Sequence, residues 1–209
     1  MVAIAGVALW LGGAVFAVFA VLVALGIYWE WWGLVAKLAA NVGARAVWMA
    51  GGAIYIGVAA LALIRLRQES LAVALELLLM VIAVDIGAYF AGRAIGGPKI
   101  APRISPSKTW AGFGGGVVAA TLVHGAVMPW TYASYTSASW PTIIGLSLLA
   151  GAAVTVIAQC GDFFESWMKR HAGVKDSGAL IPGHGGLLDR VDGLMAVSFF
   201  AGLLIGLAR

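Results

Sequence analysis

Residues 71–91 read LAVALELLLMVIAVDIGAYFA, an apolar run of about 20 residues interrupted only by Glu76 and Asp85. An α-helix of that length spans a hydrocarbon core of roughly 30 Å. Lipid offers no partners to backbone N–H and C=O groups, and the run lacks the alternation of a barrel strand, so it predicts a membrane-crossing helix. Runs of the same kind recur at Ala46–Ile64, Trp110–Met128, Thr142–Cys160 and Leu187–Ala208. Val2–Ile27 is either one span or two short helical pieces parted at Gly12-Gly13. Next comes YWEWWGLVAKL, Tyr28–Leu38, whose clustered tryptophans suit a membrane–water interface. The expected fold is all-α, a polytopic integral membrane helical bundle of about six or seven transmembrane helices. One domain is expected over 1–209, with 1–45 as a hydrophobic and interfacial lead-in and 46–209 as the functional core.

Composition agrees. The 209 residues are 62% hydrophobic and 11% charged, with a mean hydropathy of +0.99, whereas a water-soluble domain carries about 25% charged residues. Cys160 is the only cysteine, which excludes an intramolecular disulfide and a cysteine-based zinc site. The N-terminus lacks a basic region and a cleavage site of the secretory type, so no removable signal peptide is expected.

The net charge of +4 raises nucleic-acid binding as a possibility, but the basic residues lie in short loops between apolar runs, where membrane topology accounts for them. Gly92–Lys108 holds Arg93, Lys99, Arg103 and Lys108 with no acid, and Gly161–Arg190 holds Lys169, Arg170, Lys175 and Arg190. The segment from Trp130 to Pro141 is uncharged. The positive-inside rule turns the first two toward the cytoplasm and the third outward. Arg65 and Arg67 then fall on the outer side and count against this orientation, but are outnumbered. Asp85, Asp162 and Asp189 sit near the cytoplasmic ends of three helices, where their carboxylates can build one site.

Around these acids the polar residues gather. Asp162, Glu165, Ser166 and Lys169 recur at i, i+3, i+4 and i+7, so one helix face carries acceptors and then a cation. A solvated helix end would show the same pattern. Asp189 and Asp192 open the last apolar run; the helix macrodipole explains one acid there more easily than two. Hard divalent cations take oxygen ligands, and Mg²⁺ is typically held by one or two carboxylates plus substrate phosphates. Asp162 and Asp189 have that chemistry, with Asp85 and Asp192 as further members. The turn PGHGG, Pro182–Gly186, can aim backbone N–H groups of Gly185 and Gly186 at a phosphate, although it also suits an ordinary inter-helix turn. His184 could donate to an anion there. GRAIGGPKIAPRISPSKTW, Gly92–Trp110, is expected to be a non-helical loop whose Arg103 and Lys108 could bind phosphate or anchor on lipid headgroups. His124, inside an apolar run, reads as structural. No Walker A, dinucleotide-binding, zinc-protease or Gly-x-Ser-x-Gly pattern occurs.

From Ser166 the sequence SWMKRHAGVKDSGALIPGHGGLLDRVD closely resembles the signature of the phosphatidate cytidylyltransferase (CDP-diacylglycerol synthase) family: S-x-x-K-R, K-D-S-G, P-G-H-G-G and D-R-x-D, in order. The resemblance extends upstream through GDFFES, PRISPSKTW and DIGAYFAGR, covering Ala83–Gly193. Family members carry more sequence ahead of the Gly12-Gly13 equivalent, so a short or absent first helix is expected here. The resemblance implies a multi-pass enzyme of the cell inner membrane, with its site on the cytoplasmic face. It would join CTP and phosphatidate into CDP-diacylglycerol and pyrophosphate with Mg²⁺. It implies metal ligation by Asp162 and Asp189, to which Asp192 adds support. A second cation, monovalent or divalent, is left open, as is a homodimer; nucleic acid is not a partner.

For such chemistry Lys169, Arg170, Lys175 and Arg190 would join the two aspartates as the catalytic set. Substrate binding would fall to Asp85, Arg103, Ser105, Lys108, Ser166, Asp176, Ser177, His184, Gly185 and Gly186. Both reactants are anionic, and a phosphate nucleophile is already deprotonated. The site therefore needs cations and metal ligands rather than a general base. Two rival readings stay open. One is a CTP-dependent transferase for another lipid phosphate, such as an ether lipid; the other is an ion-coupled transporter lined by the acids.

Overall fold

A computed structural model of the chain describes residues 2–131, 139–181, 183 and 185–207. Seven α-helices occur among them: α1 (Val2–Leu11), α2 (Gly13–Leu38), α3 (Val42–Glu69), α4 (Leu71–Ala94), α5 (Trp110–Thr131), α6 (Trp140–His171) and α7 (Asp192–Leu207). Helices α2 to α6, of 22 to 32 residues, are long and apolar enough to cross a membrane. With α7 as a sixth, shorter apolar helix of 16 residues, the polytopic all-α expectation holds.

The first apolar run is two helices, because Gly12 adopts φ 65° and Gly13 φ 51°, a left-handed backbone that glycine tolerates. Arg67, from the end of α3, fills the break: its Nε donates to the Leu9 carbonyl at 2.6 Å and its Nη2 to that of Trp10 at 3.0 Å. Those carbonyls end α1 without helical partners, so the guanidinium caps them. A Cβ on Gly12 would lie 2.6 Å from the guanidinium carbon. One of the two arginines that counted against the loop-charge orientation thus has a structural role of its own.

The chain divides by packing into two compact units, Met1–Leu71 with Gly161–Arg209, and Ala72–Cys160. In the first, α3 packs along α2 and α7, and a core of Ile27, Leu34, Val35, Ile56, Met168 and Leu188 fills the space between elements. Tyr28–Leu38 is the last part of α2 rather than a separate interfacial segment. It turns Trp29 and Trp32 outward while burying Glu30, Trp31 and Leu34. Trp31 donates its Nε1–H to the Trp48 carbonyl at 3.0 Å, which ties α2 to α3.

The second unit rests on close helix contacts made by small residues. Gly87 of α4 meets Gly115 of α5, where a Cβ on Gly115 would stand 2.5 Å from the Gly87 carbonyl oxygen. Gly116 of α5 faces Val84 and Thr155. Glu76 and His124, both buried or nearly so, form a pair at 2.6 Å, which gives His124 the structural role expected of it. Between α4 and α5 the expected loop contains a hairpin, β1 (Lys99–Ala101) antiparallel to β2 (Ser105–Thr109). Helix α4 also runs on to Ala94, past the expected start of that loop.

Candidate active site

The last turns of α6, the segment 175–187 and the 3-10 turn Leu188–Arg190 leading into α7 bring the acids of the first unit together. Gly161 allows the approach: a Cβ there would lie 2.7 Å from the Asp192 carbonyl oxygen and 2.6 Å from the Ala196 side chain. Helices α6 and α7 therefore touch where Asp162 and Asp192 begin their faces.

At the centre stands Lys169. Its Nζ donates to Glu165 Oε2 at 2.7 Å and to Asp189 Oδ1 at 2.6 Å, with only 15% of its side chain exposed. The i, i+4 spacing along α6 brings Glu165 and Lys169 together as the sequence predicted, and Asp189 joins from the other element. Ser166 donates to Asp162 Oδ1 at 3.2 Å, one turn back on α6.

The other oxygen of Asp189 is a collecting point. Oδ2 accepts from Ser177 N at 2.9 Å, Ser177 Oγ at 3.0 Å and Gly186 N at 2.8 Å. Burial raises the Asp189 pKa, but the Lys169 ammonium and the hydrogen bonds from the Ser177 and Gly186 backbone outweigh it. The carboxyl is held well below the usual range. The Gly186 N–H that could have served a phosphate is thus committed to a carboxylate of the chain itself. Gly186 must be small: a Cβ there would stand 2.8 Å from both Asp189 Oδ2 and Glu30 Oε2. Gly185 takes φ 85°, and its carbonyl accepts from Ile181 N at 3.1 Å, which closes the turn.

Two acids that the sequence reading left without a role belong here. Glu165 stood on the predicted α6 face, and the structure makes it one wall of the lysine site; its Oε1 is buried with no hydrogen-bond partner. Glu30 of α2, only 3% exposed, receives Leu187 N at 2.9 Å on Oε1, and Leu188 N at 2.8 Å and Ser177 Oγ at 3.2 Å on Oε2. Its one sequence signal was an acid inside an apolar, tryptophan-rich stretch.

Of the other expected residues in this unit, Arg170, Lys175, Asp176 and Arg190 lie exposed around the centre's chain segments. His184 is outside the described residues. Asp85, Arg103, Ser105 and Lys108 lie in the second unit, Asp85 and Arg103 exposed and Ser105 buried at the head of β2.

Among the described residues no three His, Cys, Asp or Glu side chains form a group that could hold a metal ion. Lys169 lies between the Glu165 and Asp189 carboxylates. The donor set itself is of the hard-oxygen kind that suits Mg²⁺, and Glu165 Oε1 is a buried acceptor still without a donor. The fit to Mg²⁺ is thus one of donor chemistry, while the Lys169 ammonium holds Asp189 Oδ1.

Fold and site together define a multi-pass membrane protein with a carboxylate–lysine centre at the helix ends. Residues 34–208 match the cytidylyltransferase family, and the chain belongs to that family. It is 47% identical over 154 residues to the phosphatidate cytidylyltransferase of Brucella suis biovar 1 (strain 1330), covering 72% of this chain and 54% of that protein. It is 45% identical over 128 residues to the phosphatidate cytidylyltransferase of Haemophilus influenzae, covering 61% and 43%. With the Pseudomonas aeruginosa protein of the same name it shares 41% over 145 residues, covering 68% and 51%. The chain thus spans about half the length of the curated relatives it matches.

Proposed function

We propose that this chain transfers a cytidylyl group from CTP to phosphatidate, giving CDP-diacylglycerol and pyrophosphate. The observation that carries the reading is the Glu165–Lys169–Asp189 centre, built from the motif residues that also resemble the family signature. A phosphatidate oxygen would attack the α-phosphorus of CTP, and the bond from that phosphorus to the bridging oxygen of pyrophosphate would break. Both reactants are anions, so the work of the site is to offset charge and to hold the two in line. Lys169, freed from Asp189, with Arg170, Lys175 and Arg190, would bind the phosphates. Asp162 and Asp189, supported by Asp192, would hold Mg²⁺, which when bound would stabilise the developing negative charge on the leaving pyrophosphate.

Phosphatidate keeps its tails in the bilayer while CTP comes from water, which fits a site at helix ends. The positive-inside pattern of the loop charges favours the cytoplasmic face for that end, and the family resemblance favours the cell inner membrane.

The test is direct. Purified protein in phosphatidate-containing vesicles, given radiolabelled CTP and Mg²⁺, should yield labelled CDP-diacylglycerol, and EDTA should stop it. No labelled lipid under these conditions, with the protein folded, would overturn the reading.

A further inference from the structure

Glu30 lies far from every motif of the site in sequence, yet its hydrogen bonds converge there. A carboxylate buried in an apolar helix is costly unless its oxygens are satisfied. Glu30 is satisfied by three donors, all from the segment 177–188: the backbone N–H groups of Leu187 and Leu188 and the Ser177 hydroxyl. The first two are the amides that open the 3-10 turn Leu188–Arg190, groups that a helical turn cannot satisfy by itself. Asp189 is the middle residue of that turn. The third donor, Ser177 Oγ, stands 3.2 Å from Glu30 Oε2 and 3.0 Å from Asp189 Oδ2, so one hydroxyl proton serves two carboxylates.

The glycines of the segment are shaped to the same purpose. A Cβ on Gly178 would stand 2.6 Å from Glu30 Cγ, and one on Gly186 would meet Glu30 and Asp189 oxygens together. The segment is cut to receive the Glu30 carboxylate, and through it the backbone carrying Asp189 is fixed against α2.

We propose that Glu30 is the positioning residue for Asp189: it clamps the start of the 3-10 turn and, through Ser177, sets the direction of the Asp189 carboxylate. The proposal rests on the reading of Asp189 as part of the reaction centre, and reaches it through backbone rather than through substrate contact. Glu30→Gln is the informative change. It keeps the shape and one carbonyl acceptor but turns an NH2 toward a backbone N–H or the hydroxyl, so at least one clamp bond is lost.

The experiment compares wild type, Glu30→Gln and Ser177→Ala, each as the full chain in lipid nanodiscs, by hydrogen–deuterium exchange and by steady-state kinetics. Both variants should exchange faster at the amides of residues 186–189, with α3 and α6 unchanged. Their kcat should fall by roughly 10–100-fold, the usual effect of losing a partner that orients a site residue, while KM for CTP stays within about twofold. Wild-type exchange at 186–189 in Glu30→Gln would overturn the proposal. So would faster exchange spread evenly through the unit, which marks a general packing role. If Glu30→Gln does not fold, Ser177→Ala carries the same comparison. Should the wild-type chain make no CDP-lipid, the functional reading fails, and the exchange pattern alone still decides whether Glu30 holds the Asp189 turn.

Discussion

Replacing Asp189 by Asn removes one negative charge and little volume, so its consequences follow from the bonds around that carboxylate. Oδ2 accepts three hydrogen bonds and Oδ1 accepts the Lys169 ammonium at 2.6 Å. An amide can present its oxygen to only one of these two groups. Its NH2 then faces either an ammonium or two N–H groups and a hydroxyl, donor against donor. Hydrogen bonds to a charged group contribute about 1.5–3 kcal/mol each, and removing one member of a largely buried ion pair costs about 3–5 kcal/mol. A destabilisation of about 3–5 kcal/mol is expected at pH 7. Its pH dependence has a definite sign. The folded carboxyl titrates below its unfolded value, so its contribution is complete above about pH 4 and is lost as pH falls through the folded pKa. The gap between wild type and Asp189→Asn should therefore close as pH falls below about 4. Denaturant unfolding in micelles, followed by tryptophan fluorescence across that range, measures it. A gap below about 1 kcal/mol at neutral pH, or one that stays undiminished well below pH 4, would contradict this.

Other substitutions test separate parts of the account. Gly186→Ala should destabilise by about 1–3 kcal/mol through overpacking against Ser177, Asp189 and Glu30, read as a lower midpoint in the same unfolding assay. Lys169→Met should abolish CDP-lipid formation at saturating Mg²⁺, because it removes the cation proposed to bind phosphate as well as the partner of Glu165 and Asp189; turnover within tenfold of wild type would be the contrary result. Arg67→Ala should leave the Leu9 and Trp10 carbonyls uncapped and so raise exchange in α1 and its susceptibility to proteolysis, with transfer activity kept.

Much of the fold was legible because lipid leaves the backbone few choices. Runs such as Leu71–Ala91 can only be helices at that length, and the Gly12-Gly13 pair marked the break between α1 and α2. The hairpin was hidden: Lys99–Thr109 is rich in proline and cations, and its pairing shows no hydrophobic alternation for a sequence to betray. Asp162, Ser166, Lys169 and Asp189 were readable because α6 repeats its polar residues at helical spacing and α7 opens on acids. Glu165 stood on that same face but looked like one more solvated acid. Glu30 was invisible in principle, since Ser177 lies 147 residues away and Leu188 158. Its neighbours, Trp29, Trp31 and Trp32, belong to a pattern that membrane interfaces also produce. The glycines of Pro182–Gly186 were legible as a turn, but the sequence did not tell that Gly186 gives its N–H to Asp189.

The reaction proposed for the centre around Asp189 moves the α-phosphoryl group of CTP, with its nucleoside, onto a lipid phosphate. Parallel reactions of wild-type protein in phosphatidate vesicles with CTP labelled at the α- or the γ-phosphate read this out. The α-label is expected in the lipid fraction and the γ-label in pyrophosphate, with neither transferred by Asp189→Asn. Label from the γ-phosphate in lipid, or α-label transferred equally well by Asp189→Asn, would contradict it.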